Sequence, residues 1–122
     1  MKNRFLRFVA TQRNRESGQS SGLFNIAYGL LQDGMLSYVE TVILREELAW
    51  FEKNLPVPKP DYITGHHIFW YKAEAQECLQ RMWRLANVLK SFGYLVELKR
   101  CWWPGHVIYE DEFQVIASPY RR

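Results

Sequence analysis

A polar segment at residues 13–22, rich in glycine, serine and arginine, is the first part of this chain that could bind a ligand. Arginine side chains hold phosphate or carboxylate groups, and the free N–H groups at a helix N-terminus favour anions. Because we predict a helix from about Gly22, we interpret the segment as an anion-binding site formed by Arg13, Arg15, Ser17, Ser20, Ser21 and Gly22. It matches neither the P-loop nor the dinucleotide glycine pattern. The alternative is a loop without a ligand, followed by a helix that Ser20 or Ser21 caps.

Aromatic and basic side chains in the C-terminal half could form a surface on which nucleobases stack. Tryptophan and the basic residues are the types that bind single-stranded nucleic acids in this way. The competing interpretation is that the tryptophans cover the rim of a small hydrophobic core. The residues concerned, called the aromatic–basic set below, are Trp83, Arg84, Lys99, Arg100 and Trp102.

The histidines and cysteines are spaced unfavourably for a metal site. His66 and His67 are adjacent on a predicted strand, so their side chains point to opposite faces. Cys78 and Cys101 lack the CxxC spacing typical of zinc ligands. Cys78 falls on the apolar stripe of a predicted helix, which indicates an inert thiol, whereas the basic neighbours of Cys101 predict a more acidic one. The sequence therefore predicts no metal, no cofactor and no catalytic residue.

Three consecutive carboxylates, Glu110, Asp111 and Glu112, lie between two short apolar segments. Such groups could do acid–base chemistry or hold a divalent cation. Acids at the tip of a hairpin are more often solvated, and they protect a sheet edge from aggregation. We therefore interpret them as the turn of a β-hairpin that closes the sheet.

Helical spacing of apolar residues predicts three helices that would position these groups. The first spans about Gly22–Gln32 and ends at Asp33-Gly34, and the third spans about Glu74–Ser91. The second begins at the capping box of Ser37 and Glu40 and ends where the proline-rich stretch at residues 56–60 begins. Its buried stripe is predicted to contain Val39, Ile43, Leu44, Leu48, Phe51 and Leu55.

Alternating or β-branched segments predict five strands. They lie at about Arg4–Thr11, His66–Tyr71, Tyr94–Cys101, His106–Tyr109 and Phe113–Ala117. The resulting order is β-α-α-β-α-β-β-β. It predicts the α+β class, with a mixed or mainly antiparallel sheet and about three helices packed on one face.

Length and composition indicate one globular domain spanning residues 1–122. Of the 122 residues, 48% are hydrophobic and five are tryptophan, which is enough material for a core. No apolar run approaches the eighteen residues that span a bilayer, so we expect no membrane association and a cytoplasmic location. In that reducing compartment both cysteines are expected to be free thiols.

Two resemblances add to this interpretation. The sequence WFEKNLPVP at residues 50–58 and the sequence VIYEDEFQV at residues 107–115 resemble a family of small uncharacterised bacterial cytosolic proteins. That resemblance also covers residues 22–24, 70–72, 81–83 and 104–105, and it implies a bacterial, single-domain, intracellular protein. Residues 106–117 also resemble the first hairpin of histidine-triad hydrolases. The catalytic HxHxH segment of those enzymes is missing, so neither their activity nor their nucleotide site carries over.

These observations favour a non-enzymatic binding or protein-interaction module, acting on a protein partner or as a homo-oligomer. The alternative is a protein that binds an anionic ligand, either nucleic acid or a phosphorylated small molecule. A small hydrolase-like enzyme is the third hypothesis. The sequence leaves enzymatic activity open and leans against it.

Overall fold

The computed structural model describes residues 4–12, 20–56 and 67–118 of the chain. Its strands are β1 (Phe5–Gln12), β2 (Ser20–Gly22), β3 (Ile68–Lys72), β4 (Tyr94–Cys101), β5 (His106–Glu110) and β6 (Gln114–Ser118). Its helices are α1 (Leu23–Asp33), α2 (Tyr38–Asn54) and α3 (Gln76–Ser91). The α+β class and the predicted order of elements are confirmed, and β2 is an addition of three residues.

The strands form one sheet in which every described pairing is antiparallel. The order across the sheet is β4-β1-β3-β6-β5, and β2 lies beside β3 on the same edge of β1. β1 pairs with β4 over its full length, from Phe5 opposite Cys101 to Gln12 opposite Tyr94. β1 therefore connects β4 to the rest of the sheet.

The main core lies between the helices and one face of the sheet. Phe8 and Ala10 of β1 are buried there, and Val96 and Leu98 of β4 pack against them from the same face. The helices contribute most of the buried apolar side chains: Leu23, Ala27, Leu30, Leu44, Leu48, Phe51, Cys78, Met82, Leu85, Ala86, Val88 and Leu89. Val39, predicted to be buried, lies in the first turn of α2 and is instead 64% exposed.

The capping box at the start of α2 is confirmed and also connects two helices. The Ser37 N–H donates to Glu40 Oε1 at 3.0 Å, and the Glu40 N–H donates to Ser37 Oγ at 3.2 Å. The Ser91 hydroxyl donates to Glu40 Oε2 at 2.8 Å, which ties the end of α3 to the start of α2. These hydrogen bonds, with that to the backbone of Ser37 the largest, lower the pKa of Glu40.

A buried carboxylate joins α2 to α3. Glu47 is 0% exposed, and its oxygens lie 2.7 Å from Arg84 Nη1 and 3.3 Å from Arg81 Nη1. The Arg81 guanidinium also lies 4.8 Å from the ring centroid of Trp50 and pairs with Glu77. Burial of one negative charge is tolerated here because two positive charges reach it from α3.

Replacing Arg81 and Arg84 should lower the free energy of unfolding more than replacing Glu47. We expect Arg81→Met combined with Arg84→Met to lower the free energy of unfolding by about 3–5 kcal/mol, because the buried carboxyl group of Glu47 would lose both of its positively charged partners. Glu47→Gln should lower the free energy of unfolding by less, since the side chains of Arg81 and Arg84 are 28% and 53% exposed and can be solvated instead. Urea unfolding measures both changes, and exposed Glu46→Gln is the control, expected within about 0.5 kcal/mol of the original protein. A larger loss for Glu47→Gln than for the double variant would contradict this account.

Candidate functional site

The sheet forks at β1, because two strands share one of its edges. Phe5 and Leu6 pair with Lys72 and Tyr71 of β3, whereas Val9, Ala10 and Thr11 pair with β2. Arg7 and Phe8 lie between these two pairings, and among the described strands they pair only with β4. β3 thus leaves β1 after two residues, and no described strand pairs in the space between β2 and β3.

A cavity of about 580 Å³ opens at this fork, between the sheet, α1 and the C-terminal end of α2. It is called the fork cavity below. Its wall is mainly apolar: Phe8, Val9, Leu23, Phe24, Leu48, Phe51, Leu55, Pro56, Ile68, Phe69, Tyr71 and Met82. Five of these side chains, Phe8, Leu23, Leu48, Phe51 and Met82, belong to the buried core, so the cavity is continuous with the hydrophobic interior.

A small number of polar residues complete the wall: Arg7, Asn25, Tyr28, Glu52, His67 and Gln114. The Tyr28 hydroxyl donates to Glu52 Oε1 at 2.5 Å, which links α1 to α2 across the cavity wall. This hydrogen bond, followed by burial and the charge of Glu52, raises the pKa of Tyr28 to about 12. At neutral pH Tyr28 is therefore a hydrogen-bond donor and not a base.

Gln114 connects the cavity wall to the C-terminal hairpin. It is 4% exposed, and its Nε2 donates to Pro56 O at 2.9 Å and to Asp111 Oδ2 at 3.1 Å. The first bond holds the backbone of Pro56, two residues after the end of α2, and the second holds the turn between β5 and β6. The hairpin thereby supports the wall without contributing a carboxylate to it.

Asp111 organises this turn, which corrects the expectation that all three tip acids are solvated. Its Oδ1 accepts the N–H groups of Phe113 and Gln114 at 2.8 and 3.0 Å, and its Oδ2 accepts the Tyr109 hydroxyl at 2.7 Å. Burial alone would raise the pKa of Asp111, but these hydrogen bonds outweigh it and lower the pKa. Glu110 pairs with Lys72 at 2.5 Å, and Glu112 is exposed.

The N-terminus of α1 lies at the cavity wall. The N-cap is Gly22, which has no side chain to cap the helix, so the prediction that Ser20 or Ser21 is the N-cap residue is wrong. Both serines lie in β2, because pairing with β1 holds them in an extended conformation. His67, also at the wall, has a buried Nδ1 for which the described residues supply no hydrogen-bond partner.

The residues of the predicted anion site are only partly described. Gly22 is a wall residue of the cavity, and Ser20 and Ser21 precede it in β2. Arg13, Arg15 and Ser17 lie outside the described residues. Binding of an anion by this set therefore stays a prediction.

The aromatic–basic set is distributed over different parts of the molecule. Trp83 and Phe8 pack edge to face, with ring centroids 5.0 Å apart, and Lys90 Nζ lies 5.4 Å from the ring centroid of Trp83. Arg84 is engaged by Glu47. Lys99 and Arg100 are on opposite faces of β4, and Trp102 follows that strand and contacts Trp103.

Neither cysteine has the properties of a nucleophile. Both are free, as expected. Burial, followed by the charge of Asp111, raises the pKa of Cys78 to about 12. Burial also raises the pKa of Cys101 and outweighs the hydrogen bond from the Trp103 backbone and the charge of Arg7, which lower it. The prediction that Cys101 has a more acidic thiol is therefore wrong. Within residues 4–12, 20–56 and 67–118 no three histidine, cysteine or acidic side chains converge as metal ligands.

Sequence reasoning did not single out Tyr28, Glu52 or Gln114. Tyr28 and Glu52 are 24 positions apart, and each looks like an ordinary surface residue of a helix.

None of the described helices is long and apolar enough to cross a membrane. Comparison of the chain with protein-family models, with curated proteins and with solved structures found no match.

The hydrogen bonds of Asp111 predict a pH-dependent loss of stability in Asp111→Asn. At pH 7 we expect this variant to lose about 1–3 kcal/mol of unfolding free energy, because charge-assisted bonds become neutral ones. The pKa of Asp111 is lowered in the folded chain, so its contribution is present above the ordinary pKa of 3.8 and is lost as the pH falls through the folded value. Urea titrations at pH 7 and below pH 3.8 should show the difference shrinking, and Glu112→Gln, a matched change one residue away, should show none. An equal difference at both pH values would contradict this account.

Proposed function

We propose that this chain is a non-enzymatic binding module whose ligand is a small, mainly apolar molecule held in the fork cavity. The observation that carries the proposal is the cavity itself, about 580 Å³ with a predominantly apolar wall. Small-molecule sites typically have volumes of roughly 300–1,000 Å³, apolar walls and a few polar groups that orient the ligand. The fork cavity fits this description in size and in composition.

The polar residues of the wall supply that orientation. The Tyr28 hydroxyl is already bonded to Glu52, whereas Asn25 and the Nδ1 of His67, to which the described residues offer no partner, can bond a ligand. A buried imidazole nitrogen without a partner is costly, and a ligand that hydrogen-bonds to it would remove that cost. The ligand is therefore expected to carry at least one polar group on an otherwise apolar body.

The chemistry of the neighbouring groups supports binding over catalysis. The raised pKa values of Cys78 and Cys101 keep both thiols protonated at neutral pH, and a protonated thiol is a poor nucleophile. Tyr28 is likewise held as a neutral phenol. The bacterial origin, the cytoplasmic location and nucleobase stacking by the aromatic–basic set stay predictions.

Ligand binding should be blocked by a charge placed in the wall. 1-Octanol is a suitable probe, and it should raise the unfolding temperature, by an amount equivalent to about 2.7 kcal/mol at a hundred-fold excess over Kd. Phe69→Asp should abolish this gain, because an apolar ligand would then have to desolvate a carboxylate. Val107→Asp is the matched control, since Phe69 and Val107 are 38% and 39% exposed and only Phe69 lies in the wall. Retained stabilisation in Phe69→Asp, or no stabilisation of the original protein by apolar probes of any shape, would argue against the proposal.

A second candidate is a ligand whose polar group is an acid. The specific observation is that the cavity wall contains both Gly22, the N-cap of α1, and Arg7, whose guanidinium also lies 5.4 Å from the ring centroid of Trp70. Free N–H groups at a helix N-terminus and a guanidinium both favour an anion. The carboxylate of Glu52 opposes it, so the position of the acid would be at the Gly22 end of the cavity.

Octanoate and 1-octanol distinguish the two candidates because they share one apolar chain. If the acid is recognised, Arg7→Met should weaken octanoate binding about tenfold, a change of about 1.4 kcal/mol, and leave 1-octanol unaffected. Arg45→Met, an exposed arginine outside the cavity wall, is the control for the loss of one positive charge. Tighter binding of 1-octanol than of octanoate by the original protein would exclude the acidic ligand and leave the neutral one. Isothermal calorimetry gives both affinities directly.

A further inference from the structure

The outer edge of β4 offers backbone groups for pairing. Among the described strands β4 pairs only with β1. The Lys72 N–H donates to Phe113 O and the Ala73 N–H donates to Arg4 O, so Tyr71 and Ala73 turn their backbone groups to β1. Since these directions alternate along a strand, the odd-numbered residues of β1 and β4 bond each other. The even-numbered residues of β4 then direct their N–H and C=O groups outward.

The two edges of the sheet differ in how they are protected. The edge formed by β5 is interrupted, because its register against β6 shifts between Val107 and Tyr109. A bulge of this kind is a common means of preventing edge-to-edge association. β4 pairs with β1 over eight residues without any shift, and it contains no proline. Its edge is long and regular, and among the described residues its own charged side chains are what could protect it from association.

Those charges are self-complementary. Glu97 and Lys99 are both exposed, and they share one face of β4, on either side of Leu98. If a second β4 approaches in the antiparallel direction with Leu98 opposite Leu98, Glu97 lies opposite Lys99 of the second copy, and Lys99 opposite its Glu97. These positions are non-hydrogen-bonded pairs, in which facing side chains are closest.

We propose that two copies of this chain associate through β4, which extends the sheet across a twofold axis at Leu98. In this register Val96, Leu98 and Arg100 bond Arg100, Leu98 and Val96 of the second copy, and three pairs exchange about six backbone hydrogen bonds. Leu95, half-exposed, lies opposite Cys101 of the second copy. The interface is isologous, as expected for a dimer with twofold symmetry.

The neighbouring registers are disfavoured by like charges. A shift that places Val96 opposite Leu98 brings Glu97 against Glu97. A shift that places Leu98 opposite Arg100 brings Lys99 against Lys99. Like charges directly opposite each other destabilise a strand pair. Glu97 and Lys99 therefore disfavour both shifted registers and favour the register with Leu98 opposite Leu98.

Charge reversal tests the interface by sedimentation velocity. The original protein should show a concentration-dependent dimer. Glu97→Lys and Lys99→Glu should each weaken it about ten- to hundred-fold, because two ion pairs become two repulsions. An equimolar mixture of these two variants should form a heterodimer, since every facing pair is then of opposite sign. Glu46→Lys, an exposed reversal on α2, should leave the dimer unchanged.

A disulfide tests the register independently. Leu95→Cys places a thiol opposite Cys101 of the second copy, whereas within one chain residues 95 and 101 are about 20 Å apart along the strand. Oxidised glutathione should therefore produce a covalent dimer of Leu95→Cys but not of Leu95→Cys combined with Cys101→Ser. A monomer at every concentration, a dimer insensitive to both charge reversals, or an equal yield of cross-linked dimer without Cys101 would each overturn the proposal. Circular dichroism confirms that every variant compared is folded.

Discussion

Three strands pair with β1, which has only two edges, and the rest of this structure depends on how they share those edges. A strand has two edges, and β4 occupies one of them from Phe5 to Gln12. The other is divided between β3, which pairs with Phe5 and Leu6, and β2, which pairs with Val9 to Thr11. Neither strand continues across Arg7 and Phe8, so the sheet diverges there. The helices cover this divergence from one side, and the fork cavity is the volume that they leave unfilled.

Features set by neighbours in the sequence were predictable. The capping box of Ser37 and Glu40 uses side chains three residues apart, and it forms as expected. Gly34 has the left-handed backbone, with φ of 68°, that favours glycine after a helix, and α1 ends there. Strict alternation predicted the limits of β4, Tyr94–Cys101, to the residue. In each case the physical cause lies within one turn or one strand, where a single sequence records it.

Features set by distant partners were not predictable. β2 has three residues, Ser20–Gly22, with no strand propensity, and it exists because β1 offers them a free edge. Glu47 reads as a surface acid, and only the approach of α3 supplies the two arginines that allow its burial. The fork cavity draws its wall from all three helices and from four strands, so no local pattern indicates it. The helix cap assigned to the serines failed for the same reason, since pairing with β1 outweighed their local preference.

The two proposed binding surfaces lie on opposite edges of β1, and this arrangement makes them separable. The cavity faces the edge that β2 and β3 share, whereas the dimer would use β4, one strand beyond the other edge. A second copy at β4 would add strands to the sheet without approaching α1 or the C-terminal end of α2. It would also hold β4 more firmly against β1, in the register that places Phe8 at the cavity wall. Any coupling between dimer formation and ligand binding would therefore pass through β1, by its backbone pairing with β4 and by the packing of Leu98 against Phe8.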